Sequence, residues 1–311
     1  MSAAAVMAMA YGTPATAADL EPYYTHIRHG RPPSPELLTE LRERYETIGG
    51  RSPLLEITQA QAHGLRAALL AVGHPDVEVV VGMKHAPPFI EDAARELLAG
   101  GAERVVGLVL APHYSSMSVG QYATRAATAL AEGPRAPSFA MVRSWATTPG
   151  YVDWLADAVR AALDELGAAA VRAEVVFTAH SLPERILAAG DPYPTELLAT
   201  AQGVARTAGL KRWSVAWQSA GRTADAWIGP DILEVLPKIA TAGASGVIVC
   251  PAGFVADHLE VLYDLDVEAA ALAHDLDLPF ARTASPNADP RLAATLADVV
   301  SPLLAAEIAW R

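Results

Sequence analysis

Residues 174–184, Glu174-Val175-Val176-Phe177-Thr178-Ala179-His180-Ser181-Leu182-Pro183-Glu184, pass from an apolar run into polar groups broken by a proline. The run Glu174–Ala179 is rich in β-branched and aromatic residues and lacks the alternation of a half-exposed strand. It therefore reads as a strand buried on both faces, the kind found in parallel sheets covered by helices. The imidazole and hydroxyl that follow lie where such sheets place their ligands, just beyond the carboxyl end of a strand.

The same pattern extends in both directions. Strands are expected at Ala3–Ala10, Val77–Met83, Arg104–Leu110 and Ser138–Val142, and again at Trp213–Trp217, Gly246–Cys250 and, as a short one, near Phe280. Segments of helical period separate them: Pro35–Thr47, Pro53–Val72, Ile90–Ala99, Val119–Ala131, Tyr151–Leu166, Pro194–Ala208, Asp231–Ala242, Ala256–His274 and Pro290–Ala309. Ser52-Pro53 offers an N-cap followed by proline at the first helical position. The fold class is α/β, with roughly four parallel strands in each half and the boundary near the Ala-rich stretch Ala161–Val171. The divisions are 1–150, 151–288 and a C-terminal helix, 289–311, packing back on the body.

With 311 residues and 52% hydrophobic content the chain can bury a large core. Its net charge of −12 argues against nucleic acid or an anionic membrane as the main partner. Cys250 is the only cysteine, which excludes intrachain disulfides and cysteine-based metal clusters and leaves a buried strand thiol. The small apolar N-terminal residues read as a strand and not a signal peptide, and no run reaches the length of a membrane span. The expectation is a soluble cytoplasmic protein. No glycine-rich phosphate-binding motif is present.

Six of the strand ends carry polar or aromatic groups: Tyr11-Gly12-Thr13-Pro14, Lys84-His85, Pro112-His113-Tyr114-Ser115-Ser116, His180-Ser181, Gln218-Ser219 and Pro251 through Glu260. A large polar-lined cleft between the two halves follows. In the segment after Cys250, Glu260, Asp264 and Glu268 are spaced i, i+4 and i+8, which on a helix forms one acidic face. Spacing alone is equally met by a solvated acidic face. Carboxylates in a row at a cleft also suit hard divalent cations, and His180 could accept a proton near neutral pH.

Together these residues resemble the ferrochelatase family over essentially the whole chain, most closely the coproporphyrin III enzymes of Gram-positive bacteria. The resemblance is carried by Ala10-Tyr11-Gly12-Thr13-Pro14, Tyr23-Tyr24-Thr25-His26-Ile27-Arg28, Gly49-Gly50-Arg51-Ser52-Pro53-Leu54, Lys84-His85, Ala179-His180-Ser181-Leu182-Pro183-Glu184, Gly190-Asp191-Pro192-Tyr193, Trp217-Gln218-Ser219 and Gly253-Phe254-Val255-Ala256-Asp257-His258-Leu259-Glu260. It implies two Rossmann-like, chelatase-type domains with a porphyrin in the cleft between them. His180 and Glu260 would be catalytic and would meet the metal, with Asp264 and Glu268 continuing toward a second metal position and Tyr11 on the opposite face of the ring. Tyr11, Thr13, Arg28, Arg44, Tyr45, Ser52 and Tyr122 would hold the porphyrin.

The charge distribution agrees with that implication. Residues 26–51 hold five Arg and four Glu, a net of +1, while the rest of the chain is at −13. His29 departs from the pattern, since relatives often have a second Arg there. The single cysteine excludes the [2Fe–2S] cluster of some actinobacterial relatives. The expected activity is insertion of Fe²⁺, as substrate, into coproporphyrin III in haem biosynthesis, with no cofactor required. Protoporphyrin IX as substrate, a non-catalytic porphyrin or haem carrier, and a cobalt or nickel chelatase are the alternatives. The chain is expected to be a monomer in transient contact with neighbouring haem-pathway enzymes.

Overall fold

A computed structural model describes residues 4–305. The first half contains β1 (Ala4–Ala10), α1 (Leu20–Ile27), α2 (Pro35–Thr47), α3 (Leu54–Ala71), β2 (Glu78–Met83), α4 (Ile90–Ala99), β3 (Arg104–Val109), α5 (Val119–Leu130) and β4 (Ser138–Met141). The second contains α6 (Pro149–Leu166), β5 (Glu174–His180), α7 (Arg185–Ala188), α8 (Tyr193–Ala208), β6 (Trp213–Gln218), α9 (Ile232–Thr241) and β7 (Val247–Cys250). It closes with α10 (Leu259–Leu262), a π-helical turn (Asp264–Ala269), α11 (Ala270–Asp275), β8 (Phe280–Arg282) and α12 (Pro290–Ala305).

The strands form two four-stranded parallel sheets with the same order, β2-β1-β3-β4 and β6-β5-β7-β8. In each, the first strand of the half runs inside the sheet between the second and third. β1 and β5 are buried along nearly their whole length, as their unbroken apolar runs require. Both strands therefore end at the middle of a sheet edge, which brings Tyr11 and His180 to the centre of the rim.

One apolar core joins the two sheets. Val6 and Ala8 of β1, Phe177 of β5 and Ile248 of β7 belong to the same buried cluster, with Trp154, Leu155 and Val159 of α6 and Leu296 and Val300 of α12. Helix α12 packs on both α3 and α6, so the end of the described chain fastens the first half to the second. Tyr151 adds a polar tie, its hydroxyl donating to the Ala252 carbonyl at 2.8 Å.

The sequence-expected strands and most helices agree with the structure to within a few residues, and the outer ends of Ala3–Ala10 and Pro290–Ala309 lie outside the described residues. Two differences matter. Helix α1 was not anticipated. The expected helix Ala256–His274 is not continuous: His258 is fully extended, α10 begins at Leu259, and the helix widens into the π turn at Asp264. There the Glu268 amide donates back five residues to the Tyr263 carbonyl, at 3.0 Å. The inserted residue resets the acidic stripe expected of Glu260, Asp264 and Glu268.

Candidate active site

The loops beyond β1, β2, β3, β5 and β7 enclose a cavity of about 450 Å³. Tyr11, Thr13, Tyr45, Ser52, Tyr122, His180 and Glu260 all contribute to its wall. Arg28, Arg44, Asp264 and Glu268 do not.

His180 ends β5, and Tyr193 of α8 fixes its backbone by donating from its hydroxyl to the His180 carbonyl at 3.0 Å. Glu260, in the first turn of α10, is tied to the same sheet through Gln218. The fully buried Gln218 amide donates to the Glu260 carbonyl at 2.8 Å, while its side-chain oxygen accepts from Thr178 of β5 at 2.7 Å. The two side chains then meet, His180 Nε2 lying 3.4 Å from Glu260 Oε1. The other ring nitrogen of His180, Nδ1, faces the Ser181 carbonyl.

Because both nitrogens of His180 face oxygen acceptors, the arrangement calls for two ring protons, an imidazolium beside a carboxylate. The electrostatics agree. Burial opposes charge on His180, but the attraction and hydrogen bond of Glu260 outweigh it and lift the pKa to about 9. Burial also opposes ionisation of Glu260, yet His180 holds its carboxyl well below the usual carboxylate range.

The other oxygen of Glu260 has its own histidine. His258 Nε2 lies 3.4 Å from Oε2, and its Nδ1 faces the Ala256 carbonyl at 3.1 Å. Sequence reasoning did not single out His258 as a site residue. Its i, i+2 spacing from Glu260 is wrong for one face of a helix, and it reaches the carboxylate only because its backbone is extended.

The segment leading to this bend is closely packed at Gly253. A Cβ built on Gly253 would lie 2.5 Å from the Ala179 Cβ and 2.8 Å from its Cα, next to the start of the His180 loop. Gly253→Ala should therefore destabilise the fold by about 1–3 kcal/mol, the range for overpacking a rigid contact. Urea unfolding will measure it, and a midpoint equal to wild type would show that the loop has room to yield.

Across the cavity Tyr11 is 40% exposed and packs on His85, ring centroids 4.6 Å apart. His85 in turn meets His26 of α1 through their Nδ1 atoms at 2.9 Å, one donating and one accepting. Burial and the cations around it push His85 down to about 3, so it is neutral. The buried Thr13 and Tyr45 hydroxyls share a hydrogen bond of 3.0 Å. Gly12, at φ +98°, lets this loop pass against Ala86, whose amide nitrogen would be 2.9 Å from an added Cβ.

Asp264 and Glu268 have different surroundings from Glu260. Arg44 of α2 reaches both, 3.4 Å to Asp264 Oδ1 and 3.2 Å to Glu268 Oε2, while its guanidinium lies over the Tyr263 ring. Asp264 is only 5% exposed and takes a hydrogen bond from Ser219. Burial and the nearby Glu260 charge raise its pKa to about 6. A solvated acidic face does not describe it. Glu40 of α2 also pairs with Arg222, so three ion pairs hold this helix to the second half.

Comparison with known proteins adds to this picture. The model of the family described as Ferrochelatase matches residues 3–303. A relative named coproporphyrin III ferrochelatase from Halalkalibacterium halodurans is 44% identical over 305 residues, covering 96% of this chain and 97% of its own. One of the same name from Anoxybacillus flavithermus is 43% identical over 298 residues, covering 95% and 94%. Among solved structures, SirB from Bacillus subtilis with Fe³⁺ superposes with a TM-score of 0.60 at 12% identity, covering 97% of this chain and 96% of that one. DR2241 from Deinococcus radiodurans, described as similar to chelatases, gives 0.54 at 15% identity, covering 98% and 55%. At those identities the two structures speak to the fold alone.

Proposed function

The chain belongs to the ferrochelatase family, and on that premise we propose that it inserts Fe²⁺ into coproporphyrin III to give coproheme. The observation that carries the proposal is the His180–Glu260 ion pair on the wall of a cavity faced by Tyr11. The substrate assignment is supported by relatives of that name matched over nearly their full length.

Metallation removes two pyrrole protons and exchanges water on Fe²⁺ for four ring nitrogens. The resting pair holds its proton on His180, so His180 cannot accept another until it loses that one. Iron approaching Glu260 would compete with the imidazolium for the carboxylate. His180 would then lose the attraction that keeps it charged, give its proton to solvent and accept the two pyrrole protons in turn, releasing the first to solvent before taking the second. Arrival of the metal and availability of the base are thereby linked. Among the described residues no three His, Cys, Asp or Glu side chains are grouped as a metal cage. The ring nitrogens themselves would complete the coordination.

Thr13, Tyr45 and Ser52 would hold substrate carboxylates from the cavity wall, and Arg28, between the wall residues Ile27 and His29, would join them, with Tyr122 and Tyr11 against the ring. Clamping the carboxylates while one face is pressed would favour a bent ring with accessible nitrogen lone pairs. Asp264 and Glu268 would pass iron toward Glu260, exchanging it against Arg44. Asp264→Asn with Glu268→Gln should raise the apparent KM for Fe²⁺ severalfold and change kcat less. An unchanged iron dependence would remove both from the metal's path.

The direct test is anaerobic incubation of the purified protein with Fe²⁺ and either coproporphyrin III or protoporphyrin IX, following loss of porphyrin fluorescence. Faster turnover of coproporphyrin III is expected. Binding of both porphyrins without metal insertion would make the protein a carrier instead.

No helix among the described residues is long and apolar enough to cross a membrane.

A further inference from the structure

The cavity wall contains two carboxylates, Asp225 and Glu260, and each already has a cation. Asp225 pairs with Arg185 at 2.9 Å, and Glu260 lies between His180 and His258. Lys84, directly after β2, is also on the wall and is different. None of the ion pairs among the described residues includes it. Its ammonium instead donates to the neutral Gln121 side chain at 2.7 Å and sits 5.1 Å from the centroid of the Tyr122 ring.

The neighbouring groups keep it that way. Arg125 of α5 spends its charge on Glu91, at 2.5 and 2.8 Å, and uses its remaining nitrogen to hold the Lys84 carbonyl. The backbone of Lys84 is thus fixed while its ammonium remains without a counter-charge. His26 and His85, the other basic groups here, are both held toward the neutral form, by burial first and by surrounding positive charge second. For Lys84 the same two causes bring the pKa down to about 8. Gln121 and Tyr122 lie in the first turn of α5, whose dipole also favours an anion.

We propose that Lys84, with Gln121 and Tyr122, forms a carboxylate subsite separate from Thr13, Tyr45 and Ser52, and that it selects porphyrins with four carboxylates over those with two. This deepens the proposed function and rests on it. A dicarboxylate porphyrin can satisfy the Thr13–Ser52 side and leaves Lys84 uncompensated. A tetracarboxylate places one of its additional groups against the ammonium, which removes the mutual repulsion of the corner and gains a charge-assisted hydrogen bond.

The test compares coproporphyrin III with mesoporphyrin IX, which has two carboxylates, in wild type, Lys84→Met and Lys84→Arg. The ratio of their kcat/KM values should fall about tenfold in Lys84→Met, mostly through KM for coproporphyrin III, and be largely retained in Lys84→Arg. Fluorescence titration without metal should show the same order in Kd. In wild type, where folding is not in question, added NaCl should weaken coproporphyrin III binding more steeply than mesoporphyrin IX binding. A ratio unchanged in Lys84→Met, or equal salt slopes in wild type, would overturn the subsite. If wild type fails to metallate coproporphyrin III at all, the proposed function itself is overturned.

Discussion

Replacing His180 with alanine is expected to reduce metal insertion roughly 10²- to 10⁴-fold, the range for loss of an acid–base group, while porphyrin binding remains close to wild type. The imidazole lies on the wall, and its polar partners are Glu260 and the Ser181 carbonyl, not Thr13, Tyr45 or Ser52, which would hold the substrate carboxylates. Its removal therefore affects chemistry more than affinity. Fluorescence titration measures binding, and anaerobic Fe²⁺ turnover measures the reaction. Turnover near that of wild type would sink the assignment of His180 as proton acceptor. A parallel loss of binding would point instead to a collapsed cavity.

Glu260→Gln should have an effect of similar size for a different reason. The amide keeps the shape but removes the charge that holds the proton on His180 and that would attract Fe²⁺. In wild type the His180 pKa is raised from 6.5 to about 9, so its contribution to stability is complete below 6.5 and is lost as pH rises through 9. Glu260 is shifted down from 4.5, so its contribution is present above that value and is lost as pH falls toward the lowered pKa. The pair is complete around neutrality. In Glu260→Gln, burial acts on His180 against weaker opposition, and its titration midpoint should drop from about 9 into or below the neutral range. NMR of the imidazole checks this directly. A midpoint still near 9 would mean that something other than Glu260 keeps the ring charged.

Much of the fold was legible because its signals are local. Strand β5 is an unbroken buried run, and the Ala/Leu-rich helices between strands have the period of elements packed on a sheet. Helix α1 was not legible for the opposite reason: Leu20-Glu21-Pro22-Tyr23-Tyr24-Thr25-His26-Ile27 combines a proline, two aromatics and a β-branched threonine, all weak helix formers. The π turn was hidden as well, since apolar spacing does not reveal a change in hydrogen-bond register. That missing register led to the expectation of one acidic stripe. The structure gives the carboxylates two different settings: histidines for Glu260, and a shared Arg44 for Asp264 and Glu268, with Ser219 also donating to Asp264. His258 and the isolated ammonium of Lys84 depend on contacts between distant segments, which a linear pattern does not contain.

The core shared by the two sheets has a mechanical consequence. A cleft between domains joined only by a linker can close like a jaw, but here Phe177, Val6 and the helices α6 and α12 pack as one solid behind both walls. Close-packed interiors resist compression and shear. A flat aromatic macrocycle entering such a slot would meet walls that cannot swing apart to suit it, so more of any adjustment would fall on the macrocycle. The work of bending it would be drawn from contacts made at its edges, against a frame whose stiffness was set during folding.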